Sequence, residues 1–136
     1  MAIKILLADD HQIVRDGLRL LLARENDFEV IGEAPNGQLA IELTQDLKPD
    51  VILMDIGMPV MNGIEATERI IESNLGAKII CLSMHSDSRF VSSMLEAGAS
   101  GYLLKDCAFE QLVDAIRTVV SGRIYLGTSI IGGRTI

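Results

Sequence analysis

A four-residue apolar run, Val51-Ile52-Leu53-Met54, ends abruptly on the carboxylate of Asp55. Pro49-Asp50 precedes the run, and a connection rich in Gly, Pro and Asn, from Gly57 to Gly63, follows it. An unbroken apolar run between turn residues is typical of a strand that is covered on both faces in a parallel sheet. Asp55 would then lie at the carboxyl end of that strand, where open α/β sheets bind their ligands.

The rest of the chain alternates between strand and helix patterns. Short apolar runs predict strands at residues 3–8, 29–33, 51–54, 78–82 and 100–104. Apolar residues that recur every three or four positions predict an amphipathic helix after each strand. The predicted apolar faces are Val14, Leu18, Leu21 and Leu22; Leu39, Ala40, Leu43 and Leu47; Ile64, Thr67, Ile71 and Leu75; Phe90, Val91, Met94 and Leu95; and Leu112, Ile116, Val119 and Val120. This alternation predicts an α/β fold with a parallel sheet and helices on both faces.

Capping and turn residues delimit the predicted helices. The first helix is expected from about His11 to Arg24, and Asn36-Gly37 begins the second. Asp87 is a suitable N-cap for the fourth helix, and Gly98 is its expected end. The last helix should end at Ser121-Gly122.

Length and composition predict a single domain. A chain of 136 residues buries about 68% of its unfolded surface, which is enough for a stable core. Its net charge of −7 opposes binding of this segment to nucleic acid or to an anionic membrane. Cys81 and Cys107 are isolated, as suits a reducing cytosol. No apolar run approaches the roughly 18 residues of a membrane span, and no signal-peptide pattern precedes Asp9, so a cytoplasmic protein is expected.

Polar residues follow four of the predicted strands: Asp9-Asp10, Asp55, Ser83 and Lys105. If strands one and three are neighbours, as in the order 2-1-3-4-5, three carboxylates converge at one edge of the sheet. They would repel one another unless a cation joined them. Mg²⁺ suits such a site because it takes one or two carboxylates and leaves positions for phosphate oxygens. Lys105 and Ser83 complement the oxygens of a phosphoryl group.

These residues, in this order and spacing, resemble the receiver domain of bacterial two-component response regulators. The matching pieces are Asp9-Asp10, Asp55 in Asp-Ile-Gly-Met-Pro-Val-Met-Asn-Gly, Ser83, and Gly-Tyr-Leu-Leu-Lys ending at Lys105. The resemblance covers residues 1–122 and implies a flavodoxin-like (CheY-like) sheet of five parallel strands in the order 2-1-3-4-5, with five helices on both faces. Residues 123–136 are expected to begin a linker or to form a strand-like tail.

The resemblance also implies a reaction. Asp55 would accept a phosphoryl group from a sensor histidine kinase, in the presence of Mg²⁺. Asp9, Asp10, Asp55 and the backbone carbonyl of Gly57 would hold the metal. Lys105 would pair with the phosphoryl oxygens. The domain would catalyse its own phosphorylation and slow dephosphorylation, without being a turnover enzyme.

A conformational switch is implied as well. Ser83 would move to hydrogen-bond the phosphoryl oxygens, and Tyr102 would swing inward. His85 could line the mouth of the pocket and modulate dephosphorylation, whereas His11 is expected to lie exposed at a helix start. The face formed by helix 4, strand 5 and helix 5, from Asp87 to Gly122, would change and control homodimerisation or release of an effector.

Smaller fragments resemble one branch of the family. Ala-Asp-Asp-His, Leu-Ser-Met-His-Ser-Asp and Leu-Leu-Lys-Asp resemble transcription regulators with a C-terminal helix-turn-helix of the LuxR/NarL/FixJ type. DNA binding would then belong to an effector domain outside this sequence. Many receivers have a proline after the lysine of strand five, often with a cis bond, but this chain has Asp106. The path of the chain after Lys105 is therefore left open.

Three other functions fit parts of the pattern. A phosphatase of the dehalogenase type also uses an Asp at a strand end, but needs a second Asp where this chain has Gly57. A flavodoxin-like flavin carrier needs a Ser/Thr/Gly-rich loop after strand one, where Asp9-Asp10 would repel the cofactor phosphate. A degenerate receiver would serve only for protein contacts. Taken singly, Asp9-Asp10 could merely favour a helix N-terminus, and Tyr102 could be a half-buried aromatic with its hydroxyl at the surface.

Overall fold

A computed structural model describes residues 2–73, 76–84 and 87–127. The elements are β1 (Ile3–Ala8), α1 (Gln12–Leu22), β2 (Phe28–Ala34), α2 (Gly37–Leu47), β3 (Val51–Met54), α3 (Gly63–Glu72), β4 (Lys78–Ser83), α4 (Ser88–Ala97), β5 (Gly101–Leu104), α5 (Phe109–Val120) and β6 (Tyr125–Leu126). Within these described ranges, no helix is both long and apolar enough to cross a membrane.

The strands form one parallel sheet in the order β2-β1-β3-β4-β5-β6. The α/β fold and the order of the first five strands are confirmed. β6 adds a sixth strand beside β5, within the residues 123–136 that were expected to begin a linker or to form a strand-like tail. A strand of two residues is too short to show a period in the sequence. The division of the chain into a domain and a linker stays a prediction, since residues 128–136 lie outside the described ranges.

Alternate residues of the central strands point to two separate apolar layers, as the pleat requires. Leu6, Ile52 and Ile79 pack in the layer with α2, α3 and α4. Their neighbours in sequence, such as Leu53 and Ile80, pack in the layer with residues of α1 and α5. β3 is buried along its whole length, which explains its unbroken apolar sequence.

The predicted helix signals are confirmed where the structure describes them. The side chains of Asn36, Asn62 and Asp87 each accept a backbone N–H of the helix that follows, at 2.8–2.9 Å. Gly98 ends α4 in the left-handed conformation, with φ 112°, where glycine carries no Cβ penalty.

Three residues predicted on apolar faces are instead exposed: Leu47 (37%), Ile71 (40%) and Val120 (41%). Each lies in the last turn of its helix. Within α3, Thr67 is buried as predicted, and Ile70 is buried in place of Ile71. The apolar pattern continues here beyond the part of each helix that the sheet covers. Leu75, which was predicted on the same face as Ile71, lies outside the described residues.

Candidate functional site

The register of the two central strands sets two carboxylates side by side. Ala8 of β1 pairs with Met54 of β3, so Asp9 and Asp55 leave the sheet at the same level. The Asp55 N–H donates to the Ala8 carbonyl at 2.9 Å, which continues the pairing one residue beyond the strands. The predicted convergence of the first and third strand ends is confirmed.

Lys105 reaches this pair from β5. Ser83 pairs with Leu104 at the ends of β4 and β5, and the Lys105 N–H donates to the Ser83 carbonyl at 2.8 Å. The Lys105 Nζ lies 2.8 Å from Asp9 Oδ2 and 3.4 Å from Asp55 Oδ2. One ammonium group therefore bridges the two carboxylates.

Burial and charge act together on these groups. Asp9 is 4% exposed and Asp55 is 8% exposed. Burial, and next the nearby charge of Asp9, raises the pKa of Asp55, although Lys105 opposes both effects. Burial alone would lower the pKa of Lys105, but its hydrogen bond to Asp9 and the charges of Asp55 and Asp9 raise it above the ordinary value. The ammonium group therefore keeps its positive charge between the two acids.

The acidic residues form a group that could hold a metal ion. Asp9, Asp10, His11 and Asp55 each offer a ligand atom, and these atoms lie within 4.8 Å of one another. Carboxylate oxygens are the hard donors that Mg²⁺ prefers, and exposed Asp10 leaves room for bound water. The donor set therefore fits the divalent cation that the sequence predicts at this edge of the sheet.

His11 belongs to this group, although no role in the site was predicted for it. It is the exposed N-cap of α1, as expected. Its ring Nδ1, however, lies 3.0 Å from Asp9 Oδ1 and 3.1 Å from Asp10 Oδ1. The only signal in the sequence is its position directly after the acidic pair.

Arg15 is a second residue that the sequence did not reveal. Its guanidinium donates to the backbone carbonyl of Asp9 and, at 2.9 Å, to Glu33 Oε1 on β2. Arg19, one turn further along α1, donates to the other oxygen of Glu33 at 2.8 Å. The hydrogen bond from Arg19, with help from Arg15, lowers the pKa of Glu33 against the effect of burial. The spacing of Arg15 and Arg19 by one helical turn is the signal that could have suggested a shared acidic partner.

Ser83 and Tyr102 lie beside the carboxylates and are both fully buried. The Tyr102 side chain is hydrogen-bonded to those of Ser83 and Cys81. Burial raises the pKa of Tyr102 to about 12, although its hydrogen bond to Ser83 lowers it. A half-buried Tyr102 with its hydroxyl at the surface is therefore wrong, because the ring lies in the layer beneath α4. The inward position expected of Tyr102 after a switch is already occupied in this structure, and the switch itself stays a prediction.

The connection after Asp55 is held by its own backbone. The Gly63 N–H donates to the Ile56 carbonyl at 2.8 Å, so the chain folds back to the start of α3. A Cβ on Gly63 would lie 2.0 Å from the Asp55 carbonyl oxygen, which explains the glycine. Gly57 is exposed on this connection, and its role as a metal ligand stays a prediction. Val60 has φ 67° and is 82% exposed, an uncommon conformation for a β-branched residue.

The path after Lys105 is a turn with trans peptide bonds. The Cys107 N–H donates to the Leu104 carbonyl at 3.0 Å and closes that turn around Asp106. A cis bond is therefore unnecessary for the lysine to reach the carboxylates. His85, predicted at the mouth of the pocket, lies outside the described residues.

The chain was compared with known proteins and structures. Transcriptional regulatory protein DegU of Brevibacillus brevis is 44% identical over 124 residues, which cover 91% of this chain and 52% of DegU. The crystal structure of a LuxR-family two-component response regulator from Aurantimonas sp. SI85-9A1 matches with a TM-score of 0.92 and 37% identity, covering 97% of this chain and 94% of that one. A structure of two RcsB dimers bound to two parallel DNAs matches with a TM-score of 0.87 and 26% identity, covering 96% and 66%. The chain spans about half the length of DegU.

The family comparison settles the class of protein. Residues 5–117 match the family model of the response regulator receiver domain. That match spans the strand ends that carry Asp9, Asp55, Ser83 and Lys105. The phosphatase and flavodoxin alternatives find no support in these relatives, which are named a transcriptional regulatory protein and a two-component response regulator. The chain therefore belongs to the receiver domains of two-component response regulators.

Proposed function

We propose that Asp55 is the phosphoacceptor of this receiver domain and takes its phosphoryl group from the phosphohistidine of a sensor kinase. The observation that carries the proposal is the ammonium group of Lys105, 2.8 Å from Asp9 and 3.4 Å from Asp55. A buried carboxylate at the end of the central β3 strand, with a fixed cation beside it, can receive an anionic group without a large electrostatic penalty.

The two oxygens of Asp55 have different surroundings. Oδ1 accepts the N–H of Ile56 at 2.9 Å, whereas Oδ2 faces Lys105 at 3.4 Å. We assign Oδ2 as the nucleophile. Its bond to phosphorus forms as the phosphorus–nitrogen bond of phosphohistidine breaks, and the leaving imidazole takes up a proton. Lys105 then lies within reach of the transferred oxygens and offsets their charge.

The carboxylates of Asp9, Asp10 and Asp55, with the Gly57 carbonyl, would hold Mg²⁺. When bound, the ion supplies positive charge that neutralises the phosphoryl oxygens. Arg15 positions one of these ligands, because its guanidinium donates a hydrogen bond to the backbone carbonyl of Asp9. Hydrolysis of the aspartyl phosphate regenerates the carboxylate, so the chain acts on itself and does not turn over a substrate.

Ser83 would connect this chemistry to the rest of the domain. Its side chain shares a hydrogen bond with Tyr102, so a move toward the phosphoryl oxygens would release Tyr102. Tyr102 lies on β5, which pairs with both β4 and β6. The face formed by α4, β5 and α5 would then favour a homodimer. A related structure contains RcsB dimers bound to DNA, which supports a homodimer without identifying its face.

The output would be transcription, through a DNA-binding effector domain joined to this receiver. The relatives named as transcription regulators are about twice as long as the matched segment, which leaves room for such a domain. The net charge of −7 also opposes direct DNA binding by the receiver itself. We place the protein in the cytoplasm, where a response regulator meets both its kinase and DNA.

Phosphorylation by a small donor tests the proposal. Acetyl phosphate with Mg²⁺ should add one phosphoryl group, measured by intact mass, and chelation of the metal should prevent it. Asp55→Asn should accept none. Asp50→Asn is the matched control, because Asp50 directly precedes β3 at its other end, where its side chain accepts the Lys4 N–H. Full phosphorylation of Asp55→Asn would overturn the assignment, and a wild-type protein that accepts none would indicate a degenerate receiver.

A further inference from the structure

The imidazole of His11 lies against two of the carboxylates proposed above to hold the metal. Its Nδ1 is 3.0 Å from Asp9 Oδ1 and 3.1 Å from Asp10 Oδ1. We propose that His11 is a further side-chain ligand of the divalent cation and shifts the preference of the site from Mg²⁺ toward Mn²⁺. This inference rests on the proposed function, because it concerns the same metal site.

The distances suit a shared ion. Ligand atoms about 2.1 Å from an octahedral cation are separated by roughly 3.0 Å along each edge of the octahedron. The two distances from Nδ1 of His11, to Asp9 and to Asp10, match that edge length. The ligand atoms of these three residues and of Asp55 also lie within 4.8 Å of one another. One cation can therefore contact all four side chains with small adjustments.

The backbone holds the ring in this position. His11 is the N-cap of α1 with an extended backbone, φ −100° and ψ 109°. Its own N–H donates to Asp9 Oδ1 at 2.9 Å, while its carbonyl accepts the N–H groups of Val14 and Arg15 at 3.1 and 3.2 Å. The ring therefore extends from a backbone that is tied both to the acidic pair and to the first turn of α1. Its side chain is 61% exposed, so the open side of the site can still admit water and a phosphoryl group.

The chemistry of the ligand determines the preference. Mg²⁺ is bound almost entirely by oxygen and gains little from imidazole. Imidazole is a better ligand for first-row transition metals, and Mn²⁺ accepts oxygen ligands as well. A site made of Asp9, Asp10, Asp55 and His11 therefore keeps its affinity for Mg²⁺ and gains affinity for Mn²⁺.

A ring that only hydrogen-bonds to the carboxylates would show the same distances, since about 2.7–3.2 Å is also the hydrogen-bond range. The two arrangements differ in whether nitrogen is bonded to the metal. Mn²⁺ reports this directly, because pulsed electron paramagnetic resonance detects the coupling of a ligated ¹⁴N to the electron spin of the ion.

The test compares Mg²⁺ and Mn²⁺ binding by calorimetry in the wild type, His11→Ala and Gln12→Ala. Gln12 is the exposed neighbour of His11 and lies outside the acidic group. We expect His11→Ala to lose about tenfold in Mn²⁺ affinity and less than about twofold in Mg²⁺ affinity, and Gln12→Ala to change neither. The wild type should show imidazole ¹⁴N coupling to Mn²⁺, and His11→Ala should not.

Two results would overturn the inference while leaving the proposed function intact: Mg²⁺-dependent phosphorylation with no ¹⁴N coupling in the wild type, or an unchanged ratio of Mn²⁺ to Mg²⁺ affinity in His11→Ala. Asp10→Ala distinguishes the inference about His11 from the proposed metal site itself, because this variant should weaken the binding of both Mg²⁺ and Mn²⁺. Failure of the wild type to bind either ion would overturn the inference together with the metal requirement of the proposed function.

Discussion

The site has two halves that meet at the ends of β3 and β4 and differ in kind. The charged half consists of Asp9, Asp10, Asp55 and Lys105. Bringing these acids together disfavours their charged forms. The pKa of Asp55 is raised for this reason, mainly by burial and next by the charge of Asp9. The neutral half consists of Cys81, Ser83 and Tyr102, which are all 0% exposed. It has no net charge and is held by packing and by hydrogen bonds to the tyrosine hydroxyl.

This difference indicates how a chemical change could become a structural one. A negatively charged group can be added only where a cation lies nearby and solvent has access. In the charged half, Lys105 supplies the cation and Asp10 is exposed to solvent. A tightly packed half can respond only by exchanging one arrangement for another, because packed interiors deform little. Ser83 lies at the boundary, next to Lys105 in the sheet and hydrogen-bonded to Tyr102.

The largest effect is expected from Gly63→Ala, which disturbs the backbone connection that follows Asp55 in the charged half. The new Cβ would lie 2.0 Å from the Asp55 carbonyl oxygen and 3.0 Å from Met54 Cγ. Because backbone must move to relieve this overlap, the free energy of unfolding should fall by about 3 kcal/mol. Urea denaturation measures the loss.

Gly57→Ala is the matched control on the same connection. A Cβ at Gly57 meets nothing within 4 Å, so the free energy of unfolding should change by no more than about 0.5 kcal/mol. The backbone carbonyl proposed as a metal ligand is retained in this variant, so metal binding should be kept as well. Equal losses in the two variants would show that the connection is not held as tightly as its contacts indicate.

The next largest effect is expected from Lys105→Ala. Removal of the ammonium group takes away the cation beside Asp55 and should slow phosphorylation by acetyl phosphate about 10²-fold. Intact mass measured over time gives the rate, and circular dichroism checks that the variant is folded. Lys78→Ala is the control, because Lys78 begins β4 at the opposite end of the sheet. A rate within threefold of the wild type, about 0.7 kcal/mol, would remove Lys105 from the reaction.

The charged half was largely predictable from the sequence, and the reason is geometric. Parallel strands all end at one edge, so residues that follow strands, such as Asp55 and Lys105, must converge there. The ring of His11 was not predictable, because its direction depends on the backbone of a single capping residue. Arg15 was missed because its target includes a backbone carbonyl, which leaves no mark in the sequence.

The neutral half was predicted less well. Alternation along β5 gives the face on which Tyr102 lies, but it cannot say whether the neighbouring helix covers the ring. No role was predicted for Cys81, yet its side chain is hydrogen-bonded to Tyr102. A strand-like tail was one of two expectations for residues 123–136, but the sequence could not choose between them, since the two residues of β6 have no period. Its strand pairing comes from open backbone groups on β5, which any extended segment could satisfy.

A smaller effect is expected in the neutral half from Tyr102→Phe. The ring is retained, and only the hydrogen bonds of the hydroxyl to Ser83 and Cys81 are lost. The free energy of unfolding should fall by about 1 kcal/mol, measured by urea denaturation, while the phosphorylation rate stays close to that of the wild type. Tyr125→Phe on half-buried β6 is the control and should be neutral. Slower phosphorylation in Tyr102→Phe would mean that the two halves are not separable.

An effect as small as that of Tyr102→Phe, but of opposite sign, is expected from Asp55→Asn, measured as stability without divalent cations. A raised carboxyl pKa means that the folded protein binds a proton more tightly than the unfolded chain. Stability is therefore lost as the pH rises from about 4 through the pKa of folded Asp55, and the loss is complete above it. Asparagine carries no charge, so the variant escapes this loss. Its melting temperature at pH 7.5 in EDTA should exceed that of the wild type by a few degrees, roughly what 1 kcal/mol produces in a domain of this size.

The advantage of Asp55→Asn should shrink as the pH falls toward 4, because the raised pKa of folded Asp55 means that its carboxyl group gains protons as the pH is lowered. Mg²⁺ should also reduce it at pH 7.5, since a bound cation stabilises the carboxylate but not the amide. Asp46→Asn is the control, because Asp46 is an exposed acid on α2 that lies outside the acidic group. If Asp55→Asn were less stable than the wild type at pH 7.5 in EDTA, the attraction of Lys105 would outweigh burial and repulsion. Lys105 and Asp55 would then form a stabilising ion pair. The charged and neutral halves of the site would in that case differ in solvent exposure but not in whether they stabilise the fold.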